Sequence, residues 1–304
     1  MKRLCLVVVV TVVCFAALAR GGGLVLTVEN DAFTGSDNNY THGTELEWVT
    51  TIGTGKVLRT GYGVNQAMYT PKDISIATNQ PGDRPWCGML VVFREDWLQF
   101  GVETVRSRWE VGVLGPSSQS DETQAWFHRV IDNQEPMGWD NQLPDEPILN
   151  YYHERHHPLW SVGVPQKWQA CGEAVYGGVV GTTFINVMGG TGAKAGWNIP
   201  PTHLTGGIGP KAVKTSKPFF YALAQVNGLY VFHNATIGDS FFRDRLPEHE
   251  QELQHEVGEA IVGASAGIRW FALTYALNMR SPEFVGQTKN MDWGMVRLEF
   301  VREF

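Results

Sequence analysis

The amino-acid sequence predicts an all-β protein, a transmembrane antiparallel β-barrel of about twelve strands with a short helix in one loop. Three observations favour this fold class. An export signal stands at the N-terminus, segments of alternating apolar and polar residues recur along the chain, and the last of them ends on Phe304. The composition agrees, because 34 glycines and 11 tryptophans with only 18% charged residues are more typical of β structure than of long helices.

The first nineteen residues have the pattern of a secretory signal peptide. Met1-Lys2-Arg3 supplies a positive start, Leu4 to Leu18 is apolar, and Ala17-Leu18-Ala19 is an A-x-A cleavage site. A retained anchor is a poorer interpretation, since the apolar run is shorter than the ~20 residues of a spanning helix. We therefore expect residues 1–19 to be removed and residues 20–304 to form a single barrel domain in the outer membrane of a Gram-negative bacterium.

Charge and cysteine content exclude other classes of protein. The formal net charge is −7 without a basic cluster, so we expect no nucleic-acid partner. Cys5 and Cys14 lie in the signal, which leaves Cys87 and Cys171 in the mature chain. Two cysteines exclude a disulfide scaffold but leave a single bridge open. After the signal no apolar stretch reaches helix-spanning length, whereas the strands of a membrane barrel need only ~10 residues each.

Twelve segments alternate as barrel strands do, and an even number is what a closed bacterial barrel requires. In the last segment, Val296, Leu298, Phe300 and Phe304 share one face, and the terminal aromatic resembles the closing strand of outer-membrane barrels. The predicted strands are 23–29, 42–52, 58–69, 85–94, 98–114, 147–155, 166–176, 179–188, 218–232, 252–268, 269–280 and 292–304.

Polar or Gly/Pro-rich segments separate these strands at 70–84, 115–146, 189–216 and 234–251. Long connections on a barrel are usually extracellular and short ones periplasmic. The centre of the second segment, SDETQAWFHRVIDNQ, predicts a short amphipathic helix with Trp126, Val130 and Ile131 on one side.

Two predicted strands and the loop between them make up Leu24 to Thr50. Asn30 and Asp31 end the first strand, and Thr41 lies where the second begins. A carboxylate beside an amide supplies hard oxygen ligands for a cation. The same residue types are ordinary in turns, so this loop alone equally fits a turn without a metal.

His128 lies in the predicted helix, with Gln134 and Glu135 shortly after it. Histidine titrates near neutrality, so a histidine beside an acid can take a proton from water. A lone histidine flanked by Trp126 and Phe127 is also a common structural residue. No convincing Ser/His pair is evident in the sequence, which counts against a serine nucleophile.

A second histidine group, His153, His156 and His157, occurs in the sequence HERHH. The segment is predicted to be a strand, so it lacks the helical H-E-x-x-H spacing of a zinc site. We interpret these residues as rim or loop histidines.

Taken together, these residues resemble the lipid A 3'-O-deacylase family of outer-membrane enzymes. The resemblance rests on the aromatic terminus and on VENDAFTGSDNNYTHGTELEW, HRVIDNQEPMGWDNQL, VFHNATIG and RSPEFVGQ, and it covers essentially the mature chain. It implies a calcium-dependent barrel of twelve strands with its active site near the outer rim, between lumen and membrane. It also implies removal of the 3'-linked acyloxyacyl chain from lipid A.

Matched motif by motif, the resemblance implies that Asn30, Asp31, Thr41 and His128 are functional residues. Asp31, with Asn30 or neighbouring carbonyls, would bind a Ca²⁺ that polarises the ester carbonyl and stabilises the oxyanion. His128 would deprotonate the attacking water, and Thr41 would position substrate or water.

The acidic residue that the family places after the histidine is left open by the resemblance. If the family's spacing from the histidine is kept without a gap, the acidic position falls on Gln134. A shift of one residue in the match places it on Glu135. Either residue would orient the imidazole or complete the metal site.

The expected partners are lipid A or lipopolysaccharide as substrate and the surrounding outer-membrane lipids, with the protein a monomer. The alternatives are a non-catalytic outer-membrane pore with a wet, charged lumen, and an outer-membrane phospholipase with a serine nucleophile. A secreted soluble β-sandwich is a third alternative.

Overall fold

The computed structural model describes residues 22–35, 39–50, 56–204, 206, 215–244, 246, 249 and 251–302. The predicted signal peptide and the terminal Phe304 lie outside these residues. The strands are β1 (Gly22–Asn30), β2 (Tyr40–Thr50), β3 (Val57–Tyr69), β4 (Cys87–Phe100), β5 (Glu103–Leu114), β6 (Glu146–Gly163), β7 (Trp168–Gly181), β8 (Phe184–Trp197), β9 (Thr215–Asn234), β10 (Glu256–Arg269), β11 (Phe271–Arg280) and β12 (Met291–Arg302). One α-helix, α1 (Ser120–Val130), lies between β5 and β6. None of the helices in the described part of the chain is long and apolar enough to cross a membrane.

The twelve strands form one closed antiparallel barrel in which each strand pairs with its neighbours in the sequence. The first strand closes the ring, because Leu24 lies opposite Trp48 of β2 on one side and Phe300 of β12 on the other. A closed barrel leaves no unpaired strand edge, which is what a sheet in lipid requires. This confirms the predicted all-β barrel of about twelve strands with a short helix in a loop.

The two faces of the wall have opposite character. Along β11, Thr274 and Ala276 are buried inside the barrel, whereas Leu273, Tyr275 and Leu277 are exposed on its outer surface. Apolar side chains outside and small or polar side chains inside are the reverse of a soluble barrel. The alternation therefore builds a wall whose outer surface suits lipid.

The prediction was wrong about the boundary between β4 and β5. It ended one strand at Arg94, but β4 continues to Phe100. The charged residues at this point resemble a turn, yet Glu95 faces the lumen and binds Arg59 at 3.3 Å and Arg106 at 2.8 Å. A charged side chain that points into the lumen therefore does not mark the end of a strand.

The predicted connection at 189–216 was also too long. Strand β8 runs on to Trp197, with Gly190 opposite Asn227 and Gly192 opposite Gln225 of β9. The run of glycines resembles a loop by composition. Its backbone nevertheless pairs in continuous register with the next strand.

Long connections gather at one end of the barrel. Residues 70–86, 115–145 and 235–255 leave the barrel there, whereas the opposite end has the short turns 101–102 and 164–167 and one long connection, residues 198–214. Because long connections of such barrels face the outside of the cell, we assign this end as extracellular. Asn30, where β1 finishes, and helix α1 both lie at this end.

The middle of the lumen is filled by ion pairs. Arg108 binds Glu45 at 2.7 Å and Glu110 at 2.8 Å, and Arg106 binds Glu154 at 2.7 Å. Paired in this way, the charges compensate one another away from bulk water. A cavity of about 270 Å³ remains among them.

His156 lies in this central layer, so the interpretation of HERHH as rim or loop histidines was wrong for this residue. The residue is 2% exposed, and its ring stacks on Trp97 and lies 3.7 Å from Glu154 and 3.5 Å from Glu173. The residue is part of the lumen's ion network.

Clusters of buried apolar residues lie above and below the ion pairs. At the periplasmic end the segment after β8 folds inward, and Lys194 Nζ donates to the carbonyl of His203 at 2.6 Å. The extracellular cluster consists of Tyr40, Ala67, Tyr69, Cys87, Met89, Val91, Leu114, Leu143, Ile148, Ala235, Met291 and Trp293. The periplasmic cluster consists of Ile199, Phe219, Tyr221, Leu223 and Ala272, with Leu204 against it.

Cys87 and Cys171 are both free and buried. Cys87 belongs to the extracellular cluster, whereas the Cys171 thiol donates to the carbonyl of Leu204 at 3.2 Å near the periplasmic end. The single bridge that the sequence left open is therefore not formed.

Candidate active site

Asn30 links the end of β1 to the start of β2. Its Oδ1 accepts a hydrogen bond from the backbone of Ala32 at 2.8 Å, and its Nδ2 donates to the carbonyl of Thr41 at 2.9 Å. The first bond caps the 3₁₀ turn Asp31–Thr34. The amide oxygen is thereby turned towards the Asp31 turn and the nitrogen towards Thr41.

Asp31 is held at the extracellular rim, where its side chain is buried. The turn that carries it packs on β12, since Thr34 Oγ1 lies 2.7 Å from the carbonyl of Asp31 and 3.3 Å from that of Asp292. Gly294 is needed here, because a Cβ at this position would lie 2.5 Å from Phe33 Cβ. A glycine in the wall thus lets the Asp31 turn lie against the barrel.

Thr41 occupies an irregularity in the ladder between β2 and β3, where the register shifts between Tyr40 and His42. Its hydroxyl lies 2.7 Å from that of Thr70, and the side chain is largely buried. Such bulges re-aim a side chain next to a site. Here the bulge places Thr41 beside Asn30.

Helix α1 lies against the outer wall of the barrel. Its N-terminal end is fastened by Gln66 of β3, whose Nε2 donates to the carbonyl of Ser118 at 2.8 Å. Gly88 of β4 makes room, since a Cβ there would lie 2.2 Å from Ser118 Oγ. The helix therefore covers β3 and β4 from the lipid side.

The helix buries its polar face. Gln124 and His128 are turned to the barrel and nearly inaccessible, whereas Trp126 is 59% and Val130 62% exposed. The structure confirms the predicted helix. On its apolar side, Ile131 is also half exposed.

His128 has a defined tautomer. Its Nδ1 donates to the main-chain carbonyl of Gln134, and the chain is held back against the helix by a 2.9 Å bond from Asn133 N to the carbonyl of His128. A neutral imidazole that donates from Nδ1 carries its lone pair on Nε2. The ring is therefore arranged to accept a proton at Nε2.

The side chains of Gln134 and Glu135 are turned elsewhere. The Glu135 carboxylate binds Arg129 at 3.1 Å on the surface, and Gln134 Nε2 donates to the carbonyl of Glu135 at 3.0 Å. The sequence left open which of the two supports the histidine. In the structure the contact to His128 comes from the backbone of Gln134.

Gln124 is a site residue that the sequence analysis missed. Its Oε1 accepts a hydrogen bond from Trp139 Nε1 at 2.7 Å. Its Nε2 is buried and has no hydrogen-bond acceptor within the described residues. A spacing of four residues to His128 places both on one helix face, which is the signal that could have identified it.

Two tryptophans hold Gln124 in this orientation. The rings of Trp86 and Trp139 lie 5.0 Å apart at 57° and pack with Met68 of β3. Gly138 permits this packing, because a Cβ there would lie 2.5 Å from Trp86 Nε1. The indole that binds the Gln124 oxygen is thus itself fixed.

These elements enclose a pocket of about 460 Å³ between helix α1 and the outer wall of β1 to β4. Its volume is in the range of small-molecule sites. The apolar lining comes from Leu26, Val28, Leu46, Val64, Met68, Leu90, Trp126 and Phe127. The polar lining comes from Asn30, Thr41, His42, Thr44, Gln66, Thr123, Gln124 and His128.

The structure thus brings together Asn30, Thr41 and His128 from the predicted residues. It adds Gln124 and a second histidine, His42, whose Nε2 lies 2.6 Å from Thr44 Oγ1 and whose ring stacks on Phe127. Asp31 adjoins the pocket through Asn30, whereas Gln134 and Glu135 do not line it.

Asp31 and Asn30 supply oxygen donors at the rim of the pocket. In the described part of the chain no group of three or more His, Cys, Asp or Glu residues is placed to hold a metal ion of any kind. The Asp31 carboxylate and the Asn30 amide oxygen are hard oxygen donors at one turn, which is the ligand type that Ca²⁺ takes.

A serine motif in the chain lies in the wrong setting for catalysis. Residues 263–267 read GASAG, which matches the G-x-S-x-G pattern of a nucleophile elbow. They lie within β10, and Ser265 is buried in the lumen with Thr274 Oγ1 donating to it at 2.9 Å. A nucleophile elbow needs a sharp turn between a strand and a helix, so this serine is structural.

A closed barrel whose outer wall is apolar and faces lipid is the fold of an outer-membrane protein, and this one also carries a polar site on that wall. The chain belongs to the family of outer membrane protein LpxR, whose model matches residues 4–301. This confirms the resemblance drawn from the sequence motifs.

Two solved structures match the chain to different degrees. LpxR from Salmonella typhimurium is 18% identical, with a TM-score of 0.81 over 92% of this chain and 100% of that one, and it shares the fold. The β domain of the Bordetella autotransporter BrkA is 9% identical, with a TM-score of 0.45 over 92% of this chain and 98% of that one. No curated protein matches the chain.

Proposed function

We propose that this protein is a lipid A 3'-O-deacylase of the outer membrane, which hydrolyses the ester of the 3'-linked acyloxyacyl chain. One observation carries the proposal. The pocket lies on the lipid-facing wall and joins an apolar groove to a polar end with Asn30, Thr41, Gln124 and His128. Membership of the LpxR family supports the same activity.

The position of the pocket suits a substrate that resides in the membrane. A lipid in the outer leaflet reaches the outer wall by lateral diffusion and need not enter the lumen. Its acyl chain would lie along Leu26, Val28 and Leu46, and its ester would lie at the polar end. The exposed apolar face of α1 keeps this entrance within the lipid layer. The pocket is complete within one chain, so we expect a monomer to be active.

His128 acts as the general base. Its Nε2 takes a proton from water as the water oxygen attacks the ester carbonyl carbon, and the imidazolium then returns that proton to the leaving sugar oxygen. The products are a free 3'-hydroxyl and the acyloxyacyl carboxylic acid. The Gln134 carbonyl holds the Nδ1 proton throughout, which orients the ring and stabilises its charged form.

Gln124 and Thr41 complete the polar end. The Gln124 NH₂ group, turned away from Trp139, is the donor for the oxyanion of the tetrahedral intermediate, because it is buried and already oriented. Thr41, fixed by Thr70, positions the water or the ester.

Asp31, with Asn30, would bind Ca²⁺ through oxygen donors. When bound there, the ion supplies positive charge that polarises the ester carbonyl. The protein's own part is to hold the Asp31 carboxylate at the rim of the pocket, which the capped turn on β12 does.

The alternative functions have less support. A pore needs an open aqueous lumen, whereas the described lumen is filled by ion pairs between two apolar clusters. A phospholipase of the serine type needs a serine beside a histidine, and the residues that line the pocket include no serine.

The decisive experiment is mass spectrometry of lipid A after incubation with the purified barrel in detergent with Ca²⁺. We expect the loss of one 3'-acyloxyacyl unit with the parent and its retention with His128→Ala. A phospholipid in the same micelles serves as the rival substrate. Release of fatty acid from the phospholipid with lipid A intact would overturn the proposal, as would lipid A that stays intact with no other product.

A further inference from the structure

A buried arginine in the extracellular connections lies outside the pocket. Arg84, in the connection between β3 and β4, is 1% exposed. Its Nη1 donates to Glu283 Oε2 at 2.5 Å, its Nη2 donates to Thr236 Oγ1 at 2.6 Å, and the guanidinium lies over the ring of Tyr69 at 4.2 Å. A side chain this long, fully buried and bound on three sides, has a fixed position.

The two polar partners come from two other connections. Thr236 follows β9 and is oriented by Asn234, whose Oδ1 accepts from the Thr236 hydroxyl at 2.7 Å. Glu283 lies between β11 and β12 and also binds Arg280 at 3.0 Å. Arg84 thus joins the sequence motifs VFHNATIG and RSPEFVGQ, which the proposed mechanism does not use, to the connection that follows β3.

The Glu283 carboxylate is stabilised in its charged form by two arginines. Burial alone would raise the pKa of Glu283, but Arg84 and Arg280 outweigh it and hold that pKa below its ordinary value. The carboxylate is therefore ionised when Arg84 binds it. Arginine suits the position because its planar fork can donate to two partners at once, which the point charge of lysine cannot do in the same way.

A short path leads from Arg84 to the candidate catalytic helix. Two residues later, the Trp86 carbonyl accepts from Leu143 N at 2.9 Å. The Trp86 ring packs on Trp139, which donates to Gln124 of α1. The segment fixed by Arg84 therefore carries the ring that supports the Gln124 contact.

We propose that Arg84 is a positioning residue for the deacylation reaction, which anchors Trp86 and, through Trp139, sets the orientation of Gln124 beside His128. The inference rests on the proposed function for its kinetic consequence. It assigns the contacts of Arg84 with Thr236 and Glu283 a role in catalysis, although none of these residues touches the substrate.

The test uses the full barrel, purified in detergent with Ca²⁺, and lipid A as substrate. We expect Arg84→Met to lower kcat by about 10- to 100-fold, as small misplacements of catalytic groups do, while KM changes little and the barrel stays resistant to SDS. Arg84→Lys should recover only part of the rate. Arg280→Met is the matched control, since Arg280 binds the same Glu283 but lies on β11, and it should keep the parental kcat.

A double-mutant cycle separates positioning from a general structural defect. If Arg84 acts through the tryptophan pair, Arg84→Met and Trp139→Phe should lower kcat together by much less than the product of their separate effects. Multiplicative effects would overturn the proposal, and so would a parental kcat in Arg84→Met. Should Arg84→Met not fold, Thr236→Val removes one partner and takes its place in the cycle.

Hydrogen exchange gives a readout that does not need activity. Arg84→Met should exchange the amides of α1 faster than the parent, and Arg280→Met should not. A parent without deacylase activity would refute the proposed function, while the exchange rates still decide whether Arg84 holds the helix. Equal exchange rates of the α1 amides in Arg84→Met and in the parent would show that Arg84 does not hold the helix.

Discussion

Gln124 and His128 lie one turn apart on the buried face of helix α1, and each has one polar atom held by the connection that follows the helix. Trp139 holds the Gln124 oxygen and the Gln134 carbonyl holds the His128 Nδ1 proton. The atoms left for the pocket are an amide donor and an imidazole acceptor. A helix that offers both can stabilise an oxyanion and activate a water from one rigid element.

Gln124 can be tested as the oxyanion donor. Gln124→Glu and Gln124→Ala should each lower kcat by about 10²- to 10³-fold, the loss that follows removal of one such donor. Thr123→Val is the control, because Thr123 also lines the pocket but its hydroxyl binds the carbonyl of Gln119. Steady-state release of fatty acid measures the effect. A parental rate in Gln124→Ala would remove the donor role.

His128 is the residue on which water activation depends. His128→Ala should lower turnover by about 10²- to 10⁴-fold, as expected when a general base is lost. His128→Asn should not restore the rate, since an amide does not accept the proton. His42→Ala provides the control for a histidine in the same pocket and should retain most of the activity. If His42→Ala is the inactive variant, the base has been assigned to the wrong histidine.

Calcium dependence can be measured through Asp31. EDTA should abolish ester hydrolysis by the parent, and added Ca²⁺ should restore it, because the carboxylate and the amide oxygen are hard donors. Asp31→Asn should need a higher Ca²⁺ concentration for half-maximal activity, whereas the exposed Asp140→Asn should match the parent. Full activity of the parent in EDTA would remove the metal from the mechanism.

The outward face of helix α1 should matter only in a lipid layer. A charged residue within hydrocarbon costs about 2.5–3.5 kcal/mol, so Val130→Asp should lift the helix end away from the lipid and slow deacylation in membranes. In detergent with dispersed substrate, the same variant should work at close to the parental rate. Glu122→Gln, an exposed change at the other end of the helix, is the control. Equal rates for Val130→Asp and parent in both settings would place this face in water.

The strands were predictable because a wall between lipid and lumen imposes a period of two on the sequence. The errors arose where strand residues are of types that usually mark turns or loops. Glu95 and its neighbours resemble a turn until Arg59 and Arg106 are seen across the barrel. Likewise, the glycines of β8 resemble a loop until their pairing with β9 is known. Local sequence does not contain these partners, since they come from other strands.

The candidate site was predicted in part for a similar reason. Asn30, Thr41 and His128 stand in recognisable motifs, and the structure places them around one pocket. The partner of His128 could not be read from side-chain types, because it is a backbone carbonyl of Gln134. Gln124 was missed because its importance depends on Trp139, fifteen residues away along the chain.

The filled lumen has a consequence for the cell that makes this protein. In the described part of the chain, ion pairs around Arg106 and Arg108 lie between two apolar clusters. These side chains occupy much of the cross-section that a pore would keep for solutes. The pocket on the outer wall is reached from the lipid layer, so a lipid A deacylase built this way can act on the outer leaflet without using the lumen as a route.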